Sequence, residues 1–61
     1  MIIEITEQMY RAIVSTSTEI YKVEEHEQYR EYFYYVNYMT VSKRDNFLTG
    51  INTYYMMDCN S

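Results

Sequence analysis

Very few side chains in this 61-residue sequence have the chemistry of a catalyst or a metal ligand. It contains one histidine, His26, and one cysteine, Cys59. A general base needs a sheltered cleft and a nucleophile beside it, whereas His26 lies among Glu24, Glu25 and Glu27 in a segment expected to be solvated. One histidine and one cysteine also cannot form a disulfide or a structural zinc site within one chain. The sequence therefore predicts a non-enzymatic protein with no cofactor and no metal.

Acidic side chains form the first group that suggests binding. Nine acidic and five basic residues give a formal net charge of −4, and residues 1–31 account for all of it. The acidic cluster has two interpretations: a solvated face that keeps the protein in solution, or an electrostatic surface complementary to a basic groove, such as the nucleic-acid channel of a nuclease. For the second interpretation, the partner-binding acids are Glu24, Glu25, Glu27 and Glu31.

Nine tyrosines are the most unusual feature of the composition. They concentrate between Tyr29 and Tyr38, with a second pair at Tyr54 and Tyr55. Tyrosines fill a sheet core when their hydroxyls reach water, and they also anchor protein interfaces because they offer a large contact area at low rotamer cost. The two roles are compatible if one sheet face packs inward and the other meets a partner. The partner-binding tyrosines predicted on this basis are Tyr32, Tyr34, Tyr38 and Tyr54.

The elements that must position these residues are predicted to be mainly strands. Residues 10–23 alternate between apolar and polar positions with many β-branched side chains, which favours a strand over the helix suggested by the capping-box pair Thr16 and Glu19. Residues 29–42 are rich in Tyr, Phe, Val and Thr and predict a second strand, preceded by a helical turn near 24–29. The alternative is a helix over 24–38, supported by the apolar spacing from Tyr29 to Met39 and packed on a small antiparallel sheet.

A turn at Ser42–Asn46 and a third strand over 47–57 complete the prediction, since Asp and Asn favour turns. Residues Ile2–Thr6 are typical of a short edge strand, whereas the spacing of Ile2, Ile5, Met9, Ala12 and Ile13 is typical of a short helix, and both alternatives remain open. The predicted fold is a β-rich small α+β domain over residues 1–61, with a three-stranded antiparallel meander. Such a small sheet has a marginal core, so we expect a homo-oligomer or a fold completed by a partner.

Composition also suggests a compartment and an origin. The longest apolar run, Tyr32–Val36, is too short to cross a bilayer, and the N-terminus lacks the features of a secretory signal, so we expect a cytoplasmic protein in which Cys59 is reduced. Amino acids with A/T-rich codons greatly outnumber those with G/C-rich codons. A short chain with this bias is typical of a bacteriophage or mobile-element accessory gene.

Together these features predict an interaction protein that inhibits a host protein complex. The expected target is a defence nuclease or a transcription component, blocked sterically or electrostatically in the manner of anti-CRISPR or anti-restriction proteins. Two alternatives remain: an aromatic sheet that stacks the bases of single-stranded nucleic acid, and a homo-oligomeric structural protein. The acidic balance disfavours nucleic acid as a partner, because phosphate binding depends on free cationic side chains.

Overall fold

Five strands and one short helix form the fold in the computed structural model, which describes residues 1–58. The elements are β1 (Ile2–Ile5), α1 (Glu7–Ile13), β2 (Ile20–Glu25), β3 (Tyr29–Val36), β4 (Met39–Asn46) and β5 (Asn52–Asp58). The strands make one antiparallel sheet in the order β1-β5-β4-β3-β2. Cys59 lies outside the described residues.

Helix α1 begins immediately after β1 because Thr6 is its N-cap. The Thr6 backbone is extended, and its Oγ1 accepts a hydrogen bond from the Met9 backbone N–H at 3.1 Å, which satisfies one of the first helical amides. Glu7 in the first turn and Arg11 in the last turn complement the helix dipole and form an ion pair at 2.6 Å. The two alternatives for the N-terminal segment are both realised in part, as a strand followed at once by a helix.

Helix α1 packs on part of one face of the sheet, here called the helix face. Tyr10 at its centre places its ring 4.6 Å from that of Tyr54 and 5.9 Å from that of Tyr34, measured between centroids. These contacts belong to one small core, which consists of buried Ile5, Val41 and Tyr54 with Tyr10, Ile13, Val14, Met39 and Met56 packed against them. Because β1 and β2 run in the same direction at opposite edges of the sheet, the chain between them crosses this face.

The predicted strand over residues 10–23 is wrong over residues 10–19. Residues 10–13 belong to α1, and a polar turn follows, in which the Ser15 backbone N–H donates to Thr18 Oγ1 at 3.2 Å. Only the stretch from Ile20 onward is a strand, β2. The apparent period of two arose because Tyr10, Ile13 and Val14 satisfy the helical spacing i, i+3, i+4, while the serines and threonines after them belong to the turn.

The helical turn predicted near 24–29 and the alternative helix over 24–38 are also wrong. Strand β2 runs to Glu25, and residues 26–28 form a tight hairpin turn in which the His26 N–H donates to the Tyr29 carbonyl at 2.9 Å. The hairpin forms without Gly, Pro, Asn or Asp because cross-strand pairs stabilise it. Arg30 lies opposite Glu25 and pairs with it at 2.7 Å, and the aromatic residues of β3 favour a pleated surface.

The predicted strand over 29–42 is divided by a two-residue turn into β3 and β4. Asn37 and Tyr38 both have positive φ, 49° and 67°, which is the conformation of a type I′ hairpin turn. The predicted turn at Ser42–Asn46 lies within β4, and the chain instead turns at 47–50, where Gly50 has φ 71°. The third predicted strand, over 47–57, is therefore wrong over its first five residues and begins only at Asn52, as β5. The broad expectation of a β-rich antiparallel sheet with a small helical part is confirmed, although the sheet has five strands rather than three.

Candidate protein-binding face

The sheet face opposite α1 has no covering layer within residues 1–58. Strand alternation places every second residue of each strand on it, and a bulge between Ile20 and Lys22 adds Tyr21 to the residues on this side. We call this surface the open face. Its central members, taken across β2, β3, β4 and β5, are Tyr21, Lys22, Glu24, Tyr29, Glu31, Phe33, Tyr35, Ser42, Arg44 and Tyr55.

A buried carboxylate lies at the centre of the open face. Glu31 is only 3% exposed, and all its oxygens are occupied. Its Oε2 accepts a hydrogen bond from Ser42 Oγ at 2.6 Å, and its Oε1 accepts from Arg44 Nη2 at 3.1 Å and Nε at 3.3 Å. A buried charge is tolerated only when it is paired and hydrogen-bonded in this way. The network therefore fixes one rotamer of Glu31 and one of Arg44 across β3 and β4.

Two tyrosines hold the guanidinium of Arg44 in place. Its Cζ lies 4.1 Å from the ring centroid of Tyr29 and 4.9 Å from that of Tyr55, which are cation–π distances on both sides. Partial burial lowers the pKa of Arg44, but the hydrogen bond and the charge of Glu31 outweigh this effect, so the net shift is upward. Arg44 therefore remains charged and links β4, on which it lies, to β3 and β5.

A second polar group lies towards β2. Lys22 Nζ is 2.8 Å from Glu24 Oε2 and 5.2 Å from the ring centroid of Phe33. His26 Nε2 is 3.2 Å from Glu24 Oε1, and its ring stacks on Tyr29 at 4.3 Å. The hydrogen bond from Lys22, followed by that from His26, lowers the pKa of Glu24, and the same carboxylate raises the pKa of Lys22. Both charges of the Lys22–Glu24 pair are thus satisfied within the protein.

An aromatic patch lies between these polar groups. Tyr21 and Tyr35 meet edge to face at 6.4 Å, and Phe33 lies beneath them, 6.4 Å from Tyr21. Tyr21 is 55% exposed and Tyr35 is 54% exposed, whereas Phe33 is buried. The patch combines exposed amphipathic rings with a rigid buried base, which is the composition of protein-interface anchors.

Every cationic side chain of the protein lies within 4 Å of a carboxylate. The pairs are Arg11–Glu7, Lys22–Glu24, Arg30–Glu25, Lys43–Asp45 and Arg44–Glu31. Among the acids whose side chains the structure describes, Glu4, Glu19 and Glu27 form no ion pair. They lie near the sheet margins, and we call them the acidic rim. The rim therefore carries three of the four net negative charges, and the face inside it is nearly neutral.

The predicted partner-binding glutamates lie in different environments. Glu31 is buried in the network with Arg44, Glu24 is paired with Lys22, and Glu25 pairs with Arg30. Glu27 is exposed in the β2–β3 turn. The structure thus places Glu24 and Glu31 on the open face, but only Glu27 presents an unpaired carboxylate.

The predicted partner-binding tyrosines lie mainly on the helix face. Tyr54 is buried beneath Tyr10, and Tyr34 is half-buried against the same ring. Tyr32 is on the same side of β3 as Tyr34, while Tyr38 is exposed in the β3–β4 turn. The four residues are therefore not one surface, and their role in partner binding remains a prediction.

Sequence reasoning did not select Tyr21, Tyr35 or Arg44 as site residues. The signal for Tyr35 was its position in β3, since period-two alternation separates Tyr29, Phe33 and Tyr35 from Tyr32 and Tyr34. Tyr21 joins this face only through the bulge in β2, which no feature of the sequence indicated.

No group of three or more His, Cys, Asp or Glu side chains within residues 1–58 is arranged to hold a metal ion. In the same part of the chain, no helix has the length and apolar character needed to cross a membrane. Comparison with models of protein families, with curated proteins and with solved structures finds no match for this chain.

Proposed function

We propose that this chain is a non-catalytic protein-binding protein that docks its open face onto another protein. The observation that carries the proposal is an exposed aromatic patch on an uncovered sheet face in which both cations, Lys22 and Arg44, are already neutralised by carboxylates. Such a face gains from burial of aromatic area and has no free positive charge to offer.

The pairing of the cations favours a protein over a nucleic acid as the partner. An aromatic sheet can stack bases, but most of the affinity for single strands comes from cations that contact phosphates. Breaking the Glu31–Arg44 pair to release a cation would leave a buried carboxylate without its charged partner, at a cost of about 2–3 kcal/mol. A protein surface requires no such exchange.

The acidic rim defines the chemistry of the partner. Glu4, Glu19 and Glu27 are exposed, so an apolar patch flanked by Lys or Arg would complement both the face and its margins. Rim charges of this kind act mainly on the association rate and its salt dependence. The proposed partner is thus a protein with a basic-edged apolar surface.

The biological setting of the proposal follows from composition. The A/T-rich amino-acid usage supports a bacteriophage or mobile-element gene, and a small acidic binder encoded there is suited to block a host protein complex. A basic-edged surface is typical of a defence nuclease or a transcription component, so the proposed mechanism is steric occlusion of such a surface in the host cytoplasm.

The test compares three immobilised baits in a lysate of the natural host. The first is wild type, and the second is Tyr21→Ala/Tyr35→Ala, which removes the exposed part of the patch. The matched control is Phe47→Ala/Leu48→Ala, which removes two exposed apolar side chains in the β4–β5 turn, away from the open face. The proposal predicts a protein captured by wild type and control, with an affinity for the patch variant at least about tenfold weaker.

Two outcomes would refute the proposal. One is a captured protein that binds the patch variant as tightly as wild type, because the open face would then not be the interface. The other is saturable binding of labelled single-stranded DNA or RNA, measured by fluorescence anisotropy and abolished by Tyr21→Ala/Tyr35→Ala. That second result would assign the face to base stacking instead.

A further inference from the structure

The two edges of the sheet differ in how well they are protected against pairing with another strand. Strand β2 has three charged residues, Lys22, Glu24 and Glu25, and a bulge after Ile20. Charges and bulges are the usual means by which an edge strand avoids edge-to-edge association. Strand β1 has neither a bulge nor a lysine, and its sequence, Ile-Ile-Glu-Ile, contains one charge.

Strand β1 also exposes apolar side chains beside an apolar groove. Ile2 is 64% exposed, and Ile3 is exposed as well. A groove of about 400 Å³ adjoins them, with Met1, Ile3 and Met56 among its walls. An unprotected edge next to uncovered apolar surface is expected to recruit a further strand.

The sequence of β1 indicates that the additional strand is β1 of a second copy of this chain. In an antiparallel pair of strands, residues that lie opposite each other have their side chains on the same face of the sheet. If a two-fold axis perpendicular to the sheet relates the two strands, one residue must therefore lie opposite its own copy, and the axis lies midway between those two copies. An axis at Glu4 would set Glu4 opposite Glu4 of the other copy, which is unfavourable. An axis at Ile3 sets Ile3 opposite Ile3 and Ile2 opposite Glu4, and on the helix face it sets Met1 opposite Ile5.

We propose that this protein forms a homodimer by antiparallel pairing of β1 with β1 of a second copy, with the two-fold axis at Ile3. Met1, Ile3 and Ile5 of both copies then form one apolar row on the helix face, which covers the wall of the groove. The result is a continuous ten-stranded sheet, twice the five strands of one chain, with both helices on the same side. The two open faces adjoin, so a partner with repeated sites would bind with avidity.

This inference does not rest on the proposed function, and its test uses the chain alone. Sedimentation equilibrium should show a reversible monomer–dimer transition, weak because the edge is short. In the Ile3-centred pairing, residue 2 of each copy lies opposite Glu4 of the other copy. Ile2→Glu therefore creates two repulsive Glu–Glu pairs, whereas Ile2→Lys creates two attractive Lys–Glu pairs. The dissociation constant of Ile2→Glu should exceed that of Ile2→Lys by about tenfold.

The matched control makes the same change of charge on the other edge. Val23 of β2 is 50% exposed, so Val23→Glu and Val23→Lys alter the net charge equally without touching β1. These two variants should have dissociation constants within about twofold of each other. A large difference between them would mean that net charge alone governs association.

A thiol introduced at the axis tests the register independently of charge. In a Cys59→Ser background, Ile3→Cys places two thiols directly opposite each other, with Cα atoms about 4.5–5.5 Å apart, within disulfide range. Glu4→Cys in the same background places them roughly 8 Å apart, too far to bridge. Mild oxidation should join two copies of the Ile3→Cys variant by a disulfide and leave the Glu4→Cys variant without a cross-link.

Three results would overturn the proposal. They are a monomer at all concentrations up to the millimolar range, cross-linking of the Glu4→Cys variant in preference to the Ile3→Cys variant, or open-ended growth beyond a dimer. Growth of that kind would indicate pairing of β1 with β2, which does not close on itself.

Discussion

The buried Glu31–Arg44 pair predicts that one substitution, Glu31→Gln, destabilises the wild-type protein but stabilises a variant that lacks Arg44. Glu31 has three hydrogen bonds, and two of them come from Arg44. Arg44→Met keeps an apolar stem between Tyr29 and Tyr55 but removes the charge. Glu31 would then be a buried carboxylate bonded to Ser42 alone.

The loss of stability expected for Arg44→Met follows from the burial of Glu31 and Arg44. Hydrogen bonds to a charged group contribute about 1.5–3 kcal/mol, and the loss of one partner of a fully buried pair costs more. Because the Arg44 side chain is 30% exposed, water can replace part of what is lost, so we expect Arg44→Met to cost about 2–3 kcal/mol. A protein of 61 residues has a total stability of roughly 3–9 kcal/mol, so this loss is a large fraction.

The assay is a double-mutant cycle in urea, followed by circular dichroism. Glu31→Gln should destabilise wild type, because a neutral amide is a poor partner for Arg44. In the Arg44→Met background, the same substitution should stabilise the protein by about 1 kcal/mol, because it removes an uncompensated charge. The reasoning is refuted if Glu31→Gln destabilises both backgrounds equally, since the two side chains would then not be coupled.

Three further predictions concern turns and ionisation. Tyr38→Gly should raise the urea midpoint and stabilise the protein by about 1 kcal/mol, because glycine adopts the positive φ of 67° without steric cost; an unchanged or lower midpoint would contradict this. Gly50→Ala should cost about 1 kcal/mol in the same assay, from its φ of 71° alone, since no atom lies within 4 Å of the added methyl group. Burial and then the hydrogen bond with Tyr34 raise the pKa of Tyr10, so its stabilisation is complete below about pH 10 and is lost as the pH rises further. Unfolding between roughly pH 9 and 11 should show a smaller loss for Tyr10→Phe than for wild type, and equal losses would contradict the assignment.

The sequence pattern correctly identified the strand whose formation depends on its own composition, β3. The aromatic run of β3 was correctly interpreted as a strand rather than a helix, because Tyr and Phe pack well on a pleated surface. The N-terminal helix was only one of two open alternatives, because its apolar spacing from Tyr10 to Val14 is short and runs into a polar turn, so the combined segment resembled alternation.

The main error had a single physical origin, the turn at Asn37 and Tyr38. A type I′ turn usually has glycine at its second position, and tyrosine there gave no signal. Missing a two-residue turn reverses which later residues share a face. An uninterrupted strand would place Val41 on the same face as Phe33, whereas the observed register places Ser42 there and Val41 on the helix face. The same turn sets the register that brings Ser42 and Arg44 to Glu31, so the buried network could not be predicted without it.

The acidic cluster shows the limit of counting charges along the sequence. The net charge of −4 was correct, but the sequence could not tell which acids were paired. Cross-strand neighbours settle that question: Glu25 meets Arg30 and Glu31 meets Arg44, which leaves unpaired acids at the sheet margins. The distribution of charge was therefore a property of the strand register.

The tyrosines offer the most direct test of the claim that the open face binds a protein. Isotope-labelled tyrosine gives nine ring signals in an NMR spectrum, and four come from the open face: Tyr21, Tyr29, Tyr35 and Tyr55. Another four come from the helix face: Tyr10, Tyr32, Tyr34 and Tyr54. Addition of the protein captured by wild type should shift or broaden the four open-face signals and leave the four helix-face signals in place. Perturbation of the helix-face set, or of Tyr38 alone, would contradict the account.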